Sequence, residues 1–247
     1  MIAAFLALLA SHSFLSVLGH LVIGKDVLAR TRRGIALALL SCLFLLAIVH
    51  AYQSGQFSRA LVSPVWIGLG LLAGHLIFGV SLLVTHRSAE DASSHFFDFA
   101  SVWRFIVDHP SVLGRFLYVG VSEEIIWRAA AQPLSIQTLS GLLGPGQPAH
   151  IVSAAGILLV AAAFSAVHEH FLKNTPLVSL EFLLFALLLG VLFHLTGSLI
   201  LVIIVHALRD IEIAYLEYVI RVHELGEESL AADEVERIYA RPARRRA

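Results

Sequence analysis

FLLFALLLGVLFHLTGSLILVIIVHAL, residues Phe182 to Leu208, contains no Asp, Glu, Lys or Arg. About 20 such residues suffice to cross a bilayer, and Thr196-Gly197-Ser198 divides this run into two apolar segments. Outward from it, Met1 to Gly24, Gly34 to Ser58, Ala60 to His86 and Ala129 to His168 are equally free of those four residue types. Across 247 residues the chain is 58% hydrophobic and 14% charged, with a mean hydropathy of +0.83. An ordinary soluble domain is about a quarter charged. A water-soluble globule is thereby excluded, and the expected fold is an all-α polytopic transmembrane bundle.

Spans are expected over the first apolar run to Ile23 and near residues 35–52, 64–85, 116–140, 150–170, 179–195 and 198–219, about seven in all with a range of six to eight. The first run lacks a basic leading segment and reads as an uncleaved span. Residues 1–92 thus hold three N-terminal spans, 93–109 an interfacial amphipathic helix, 110–220 a helical core and 221–247 a charged cytoplasmic tail. Lys25, Arg30, Arg32 and Arg33 follow the first span, Arg87, Arg104 and Arg115 the third, and Arg244, Arg245 and Arg246 end the chain, whereas the opposite loops carry only Arg59. The positive-inside rule puts the N-terminus outside and the C-terminus in the cytoplasm. Between the third and fourth spans, Phe96, Phe99, Ala100, Trp103, Ile106 and Val107 recur at helical spacing opposite Asp98, Ser101, Arg104 and Asp108, which predicts an interfacial amphipathic helix. The tail alternates in charge and reads as a solvated helix. A net charge of -1 offers no patch for nucleic acid, and the single cysteine, Cys42, permits no disulfide framework. Gly70 and Gly74 form a Gly-x-x-x-Gly suited to close helix approach.

Ionisable groups inside spans are costly, so they line cavities or do chemistry by default. Three clusters qualify. In Ser122-Glu123-Glu124-Ile125-Ile126-Trp127-Arg128, Glu124 and Arg128 share a helix face and can pair, while Glu123 is rotated about 100° away and is left spare. In Phe164-Ser165-Ala166-Val167-His168-Glu169-His170, Phe164 and His168 share a face. In His206-Ala207-Leu208-Arg209-Asp210, a carboxylate four residues on can orient an imidazole or stabilise its charged form. One spare carboxylate and two histidines on three helices supply a base for water and donors for an oxyanion and a leaving amine. His-Glu-x-x-His is absent because Leu172 stands where the second histidine is required. No Gly-x-Ser-Gly or Gly-Asp site occurs either. The remaining histidines read as packing or interface residues.

At these residues the chain resembles the CPBP family of intramembrane endopeptidases, which includes CAAX prenyl proteases and bacteriocin-processing proteins. The pattern Glu-Glu-x-x-x-Arg, Phe-x-x-x-His, His-x-x-x-Asn/Asp occurs in order over about residues 111–215, with Gly190 and Thr196-Gly197-Ser198-Leu199 as lead-in. The resemblance implies a glutamic-type peptidase in which Glu123 activates water, His168 assists, His206 and Asp210 face the oxyanion, and Glu124, Arg128 and Phe164 support the site. It implies no cofactor, and a membrane protein or lipidated peptide as substrate, cut on the cytoplasmic side. Two positions depart from the family's pattern: Ala129 replaces a common Gly, and Asp210 replaces the commoner Asn. An ionised carboxylate cannot donate to an oxyanion, so either Asp210 is protonated or it holds His206 as the imidazolium donor. Zinc on Glu123, His168 and His206 is the alternative to a metal-free scheme. A catalytically idle immunity or scaffold protein is the alternative function, and a transporter, which would also bury Glu and His, is disfavoured because no internal repeat is present.

Ideal upright spans would place Glu123, His168 and His206 at different depths. A shared site therefore requires an irregularity, expected at a His194–Ser198 turn sunk within the protein beside a short sixth span.

Overall fold

The computed structural model describes residues 45–53, 55, 63–86, 98–168 and 175–239. The expected first span, Cys42, Phe96 and the basic end of the chain fall outside the described residues. Those described form helices and turns with no strand. A helical stretch over 45–53 is followed by α1 (Pro64–His86), α2 (Phe99–Asp108), α3 (Pro110–Glu124), a π-helical segment (Ile125–Ala131), α4 (Gln132–Leu143), α5 (Ala149–Val167), α6 (Pro176–Thr196), α7 (Leu199–Leu225) and α8 (Glu228–Tyr239).

Three described helices are long and apolar enough to cross a membrane: α1 over Pro64–Leu83, α5 and α6. Seven spans are not established by this measure. The expected fourth span is the continuous helical run from α3 through the π segment to α4. The seventh is α7, whose Arg209, Asp210, Glu212, Glu217 and Arg221 make it the most charged of the long helices.

Local chemistry sets several boundaries. Pro64, Pro110 and Pro176 open helices at positions where a missing N–H costs nothing. Gly197, at φ 64°, ends α6, and its N–H donates to the Phe193 carbonyl at 2.7 Å. Ser198 then caps α7, its Oγ accepting from the Leu201 N–H at 3.2 Å. The π segment ends two residues before Pro133, which cannot donate to a carbonyl one turn back and whose ring crowds it; a widened turn accommodates both defects.

Helix α7 is central, packing against α3, α1, α6 and α8, while α5 lies between α4 and α6. One apolar core joins Ile125, Ala129, Leu134, Phe185, Leu189, Leu192, Leu201 and Val205 with Ala47 and Ala51. At Gly70, α1 meets α7 so closely that a Cβ there would stand 2.9 Å from Val205 Cγ2, whereas Gly74 has ordinary clearance.

Two expectations about the periphery change. Of the expected 93–109 helix, residues 93–97 lie outside the described residues, and α2 presents apolar residues on two sides. Phe99, Trp103 and Val107 are 59%, 66% and 60% exposed, as an interfacial face requires. Ile106, expected on that face, is instead buried with Phe105 against Val112, Phe116, Ile211 and Tyr215. The tail is not simply solvated: α8 docks on the bundle through Ala231 and Val235, both buried and one helical turn apart, and its Glu236 reaches Ser111 Oγ at 3.2 Å.

Candidate active site

Glu123 and Glu124 end α3 at the threshold of the π segment. Arg128 within that segment lies with its Nε 3.1 Å from Glu124 Oε2, and both side chains are fully buried. Arg128 Nη2 donates to the Ala186 carbonyl of α6 at 3.2 Å, and one turn on Gln132 Nε2 donates to the Gly190 carbonyl at 2.8 Å. The segment following the two glutamates is therefore tied to α6 at two successive turns. Gln132 is a supporting residue that motif reading missed; its signal is a buried amide four residues beyond Arg128 on the same face.

His168 is the C-cap of α5. Its Nδ1 lies 2.7 Å from the Phe164 carbonyl, which can only accept, so Nδ1 carries the proton and Nε2 faces the site. Phe164 is buried and stacks with Phe182 at 5.5 Å, while Phe182 lies 5.0 Å from the His168 ring. The Arg128 guanidinium sits 5.3 Å over Phe164. The aromatic pair thus forms a wall beside the imidazole and covers the buried cation.

His206 on α7 joins the other two motifs. Its Nδ1 is 2.7 Å from Glu124 Oε1, and its Nε2 is 3.8 Å from Glu123 Oε2 and 3.7 Å from Asp210 Oδ2. Glu123 Oε1 lies 3.7 Å from His168 Nε2. Glu123, 28% exposed, faces both histidines, whereas Glu124 is enclosed between Arg128 and His206. Geometrically, this separates the two glutamates as their helix phase predicts.

Of the two parts of the expected irregularity, the short sixth span is not found, since α6 runs for 21 residues. Ser198 and Leu199 of the α6–α7 turn are buried. At the other end, α5 stops at Val167 and α6 begins at Pro176. His168 consequently meets Phe182 about six residues, or ~9 Å, inside α6. It is the early end of α5 that carries His168 to the level of Glu123.

A second buried ion pair adjoins the site and went unread in the sequence. Arg209 Nη2 lies 2.6 Å from both carboxylate oxygens of Glu181, Nε lies 3.0 Å from one of them, and the guanidinium sits 5.0 Å over Phe78 and 5.5 Å over Phe185. Arg209 stood visibly beside Asp210 in the third cluster, but nothing local named its partner on α6. His75, likewise read as a packing residue, has its Nδ1 2.7 Å from Glu212 Oε1. Among the described residues, no group of three His, Cys, Asp or Glu side chains has the arrangement that holds a metal ion.

Residues 106–211 match the family model described as Type II CAAX prenyl endopeptidase Rce1-like. Over this segment, less than half of the chain, the protein is similar to type II CAAX prenyl endopeptidases. No curated protein and no solved structure gives a match. The Rce1-like segment contains Glu123, Glu124, Arg128, Phe164, His168, His206 and Asp210, while α1, α8 and residues 45–53 lie outside it. The matched family is one of peptidases, and three of the described helices are long and apolar enough to cross a membrane.

Proposed function

We propose that this protein hydrolyses a peptide bond of a membrane-associated, lipid-modified protein by glutamate-activated water, without a metal. The observation that carries the reading is that the partly exposed Glu123 lies near both His168 and His206, at 3.7 and 3.8 Å. Those gaps are too long for direct hydrogen bonds and of the size that a shared water bridges. Glu123 accepts a proton from that water as its oxygen bonds to the scissile carbonyl carbon. His206, held through Nδ1 by Glu124, presents Nε2–H to the resulting oxyanion, with Asp210 keeping the ring charged. The proton held by Glu123 passes through His168 to the amide nitrogen, the C–N bond breaks, and a carboxylate and an amine leave.

The family supports a prenylated substrate trimmed near its C-terminus. Opening of the site toward the cytoplasm, with the N-terminus outside, follows from the placement of Lys and Arg. About seven spans fit the same pattern.

Glu123→Gln tests this reading, since it removes the base while keeping size and most hydrogen bonding. Cleavage of a lipidated reporter peptide by purified protein is expected to fall by about 100-fold or more. Unchanged cleavage would overturn the base assignment. The absence of cleavage by the wild-type chain across lipidated peptides would favour the immunity or scaffold alternative. Activity is expected to survive exhaustive chelation; loss restored by zinc would instead place the metal on Glu123, His168 and His206.

A further inference from the structure

The end of the bundle beyond the active site is densely ion-paired. Arg221 lies 2.8 Å from Glu217 and 3.0 Å from Glu224, Arg237 lies 2.6 Å from Glu234, and His109 lies 3.4 Å from Glu236. Arg104, Asp108 and Glu228 differ. No described residue forms an ion pair with them, and all three line one cavity of about 260 Å³ between α2, α7 and the start of α8. That is far more than the space one water needs.

The cavity's inner wall is aromatic. Phe105 lies 5.3 Å from Tyr218 and 5.8 Å from Tyr215, and the two tyrosines lie 6.5 Å apart, so the three rings make one continuous surface. Arg104 and Asp108 are one turn apart on α2, with Glu228 opposite at the first turn of α8. The outward face of α2, Phe99, Trp103 and Val107, suits the headgroup boundary of a bilayer, so a cavity directly behind it opens at headgroup depth. Tyr218 lies about 18 Å along α7 from His206, well removed from the catalytic groups.

We infer that this cavity binds the headgroup of a phospholipid carrying a phosphate and a primary ammonium, of the phosphatidylethanolamine type. Arg104 takes the phosphate, for which its guanidinium offers a fork of donors. The ammonium donates to Asp108 and Glu228 and lies over the tyrosine rings. The diacylglycerol portion passes out over the apolar face of α2. An anionic headgroup without the ammonium would meet two carboxylates and be disfavoured.

The test uses the full-length protein in detergent, titrated with short-chain phosphatidylethanolamine, phosphatidylcholine and phosphatidylglycerol under native mass spectrometry. Wild type is expected to bind phosphatidylethanolamine about tenfold more tightly than phosphatidylglycerol, the scale of one charge-assisted hydrogen bond. Asp108→Asn with Glu228→Gln is expected to erase that preference, and Arg104→Gln to weaken phosphatidylethanolamine by about tenfold. Soluble phosphoethanolamine should compete with the lipid on wild type, an arm that needs no variant. Equal binding of phosphatidylethanolamine and phosphatidylglycerol, phosphatidylcholine binding as tightly as phosphatidylethanolamine, a preference that survives the double substitution, or no competition would each overturn the inference. Reporter cleavage on the same samples should stay at the wild-type level, which keeps this outcome separate from the catalytic proposal.

Discussion

His206 Nδ1 lies 2.7 Å from Glu124 Oε1, and this contact fastens the third motif to the first across 82 residues of chain. Because the other oxygen of Glu124 is 3.1 Å from Arg128 Nε, one enclosed carboxylate serves both a buried cation and an imidazole. Glu123, its neighbour in sequence, makes only longer contacts and keeps partial exposure. Adjacent residues of one type therefore occupy sites of opposite character, one braced and enclosed, the other partly exposed.

That contrast predicts different failures for the two glutamines. Glu124→Gln leaves Arg128 buried without a countercharge, which costs about 3–5 kcal/mol when one partner of such a pair is removed. Thermal unfolding in detergent should show a large loss of stability. Glu123→Gln should lose activity with stability within about 0.5 kcal/mol of wild type, since its side chain is partly exposed and its gaps to His168 and His206 are too long for direct hydrogen bonds. Equal stability losses in the two variants would contradict the assignment.

Asp210 is 3.7 Å from His206 Nε2 on the side facing the reactive region. Asp210→Asn supplies an amide donor directly and is expected to retain cleavage. Asp210→Ala removes both the donor and the group that holds His206 charged, and should lower kcat by about 100-fold, the scale of one oxyanion donor. Steady-state cleavage of a reporter peptide decides the matter, and an alanine variant as active as wild type removes Asp210 from the mechanism.

The Glu181–Arg209 pair is enclosed and bidentate, with its guanidinium over Phe78 and over Phe185, whose ring lies 6.0 Å from that of His206. Glu181→Ala strands a buried guanidinium and is expected to destabilise by about 3–5 kcal/mol. Adding Arg209→Leu should recover much of that stability along with activity, since an apolar pair can replace a buried ion pair at little cost. If the double variant is stable but inactive, Arg209 acts on the chemistry and not only on the helix contact.

At Gly190, a Cβ would stand 2.7 Å from Ile157 Cγ2 and 3.1 Å from Gln132 Oε1. Gly190→Ala therefore overfills a contact whose near neighbour is a stiff β-branched side chain, at a cost of about 1–3 kcal/mol. It should also reduce kcat, because α6 holds Arg128 and Gln132 through the Ala186 and Gly190 carbonyls. Melting temperature and turnover measured together check both parts.

Much of the arrangement was legible along the chain because it is local. The uncharged run from Phe182 to Leu208 with its Thr196-Gly197-Ser198 break became α6, a left-handed glycine and α7, since apolar length and turn chemistry act over a few residues. The i, i+4 relation of Glu124 to Arg128 already singled out Glu123, because helix phase follows from spacing alone. Depth was not legible. Where α5 stops relative to α6 is set by packing between helices, and that offset carries His168 to Glu123 and His206. Partner choice was equally hidden for Glu181 with Arg209 and for α8 with the bundle, because pairings across separate helices depend on which faces are brought together. Residue type and periodicity name the groups able to react, while the distances that make them one site arise from the relative ends and faces of packed helices.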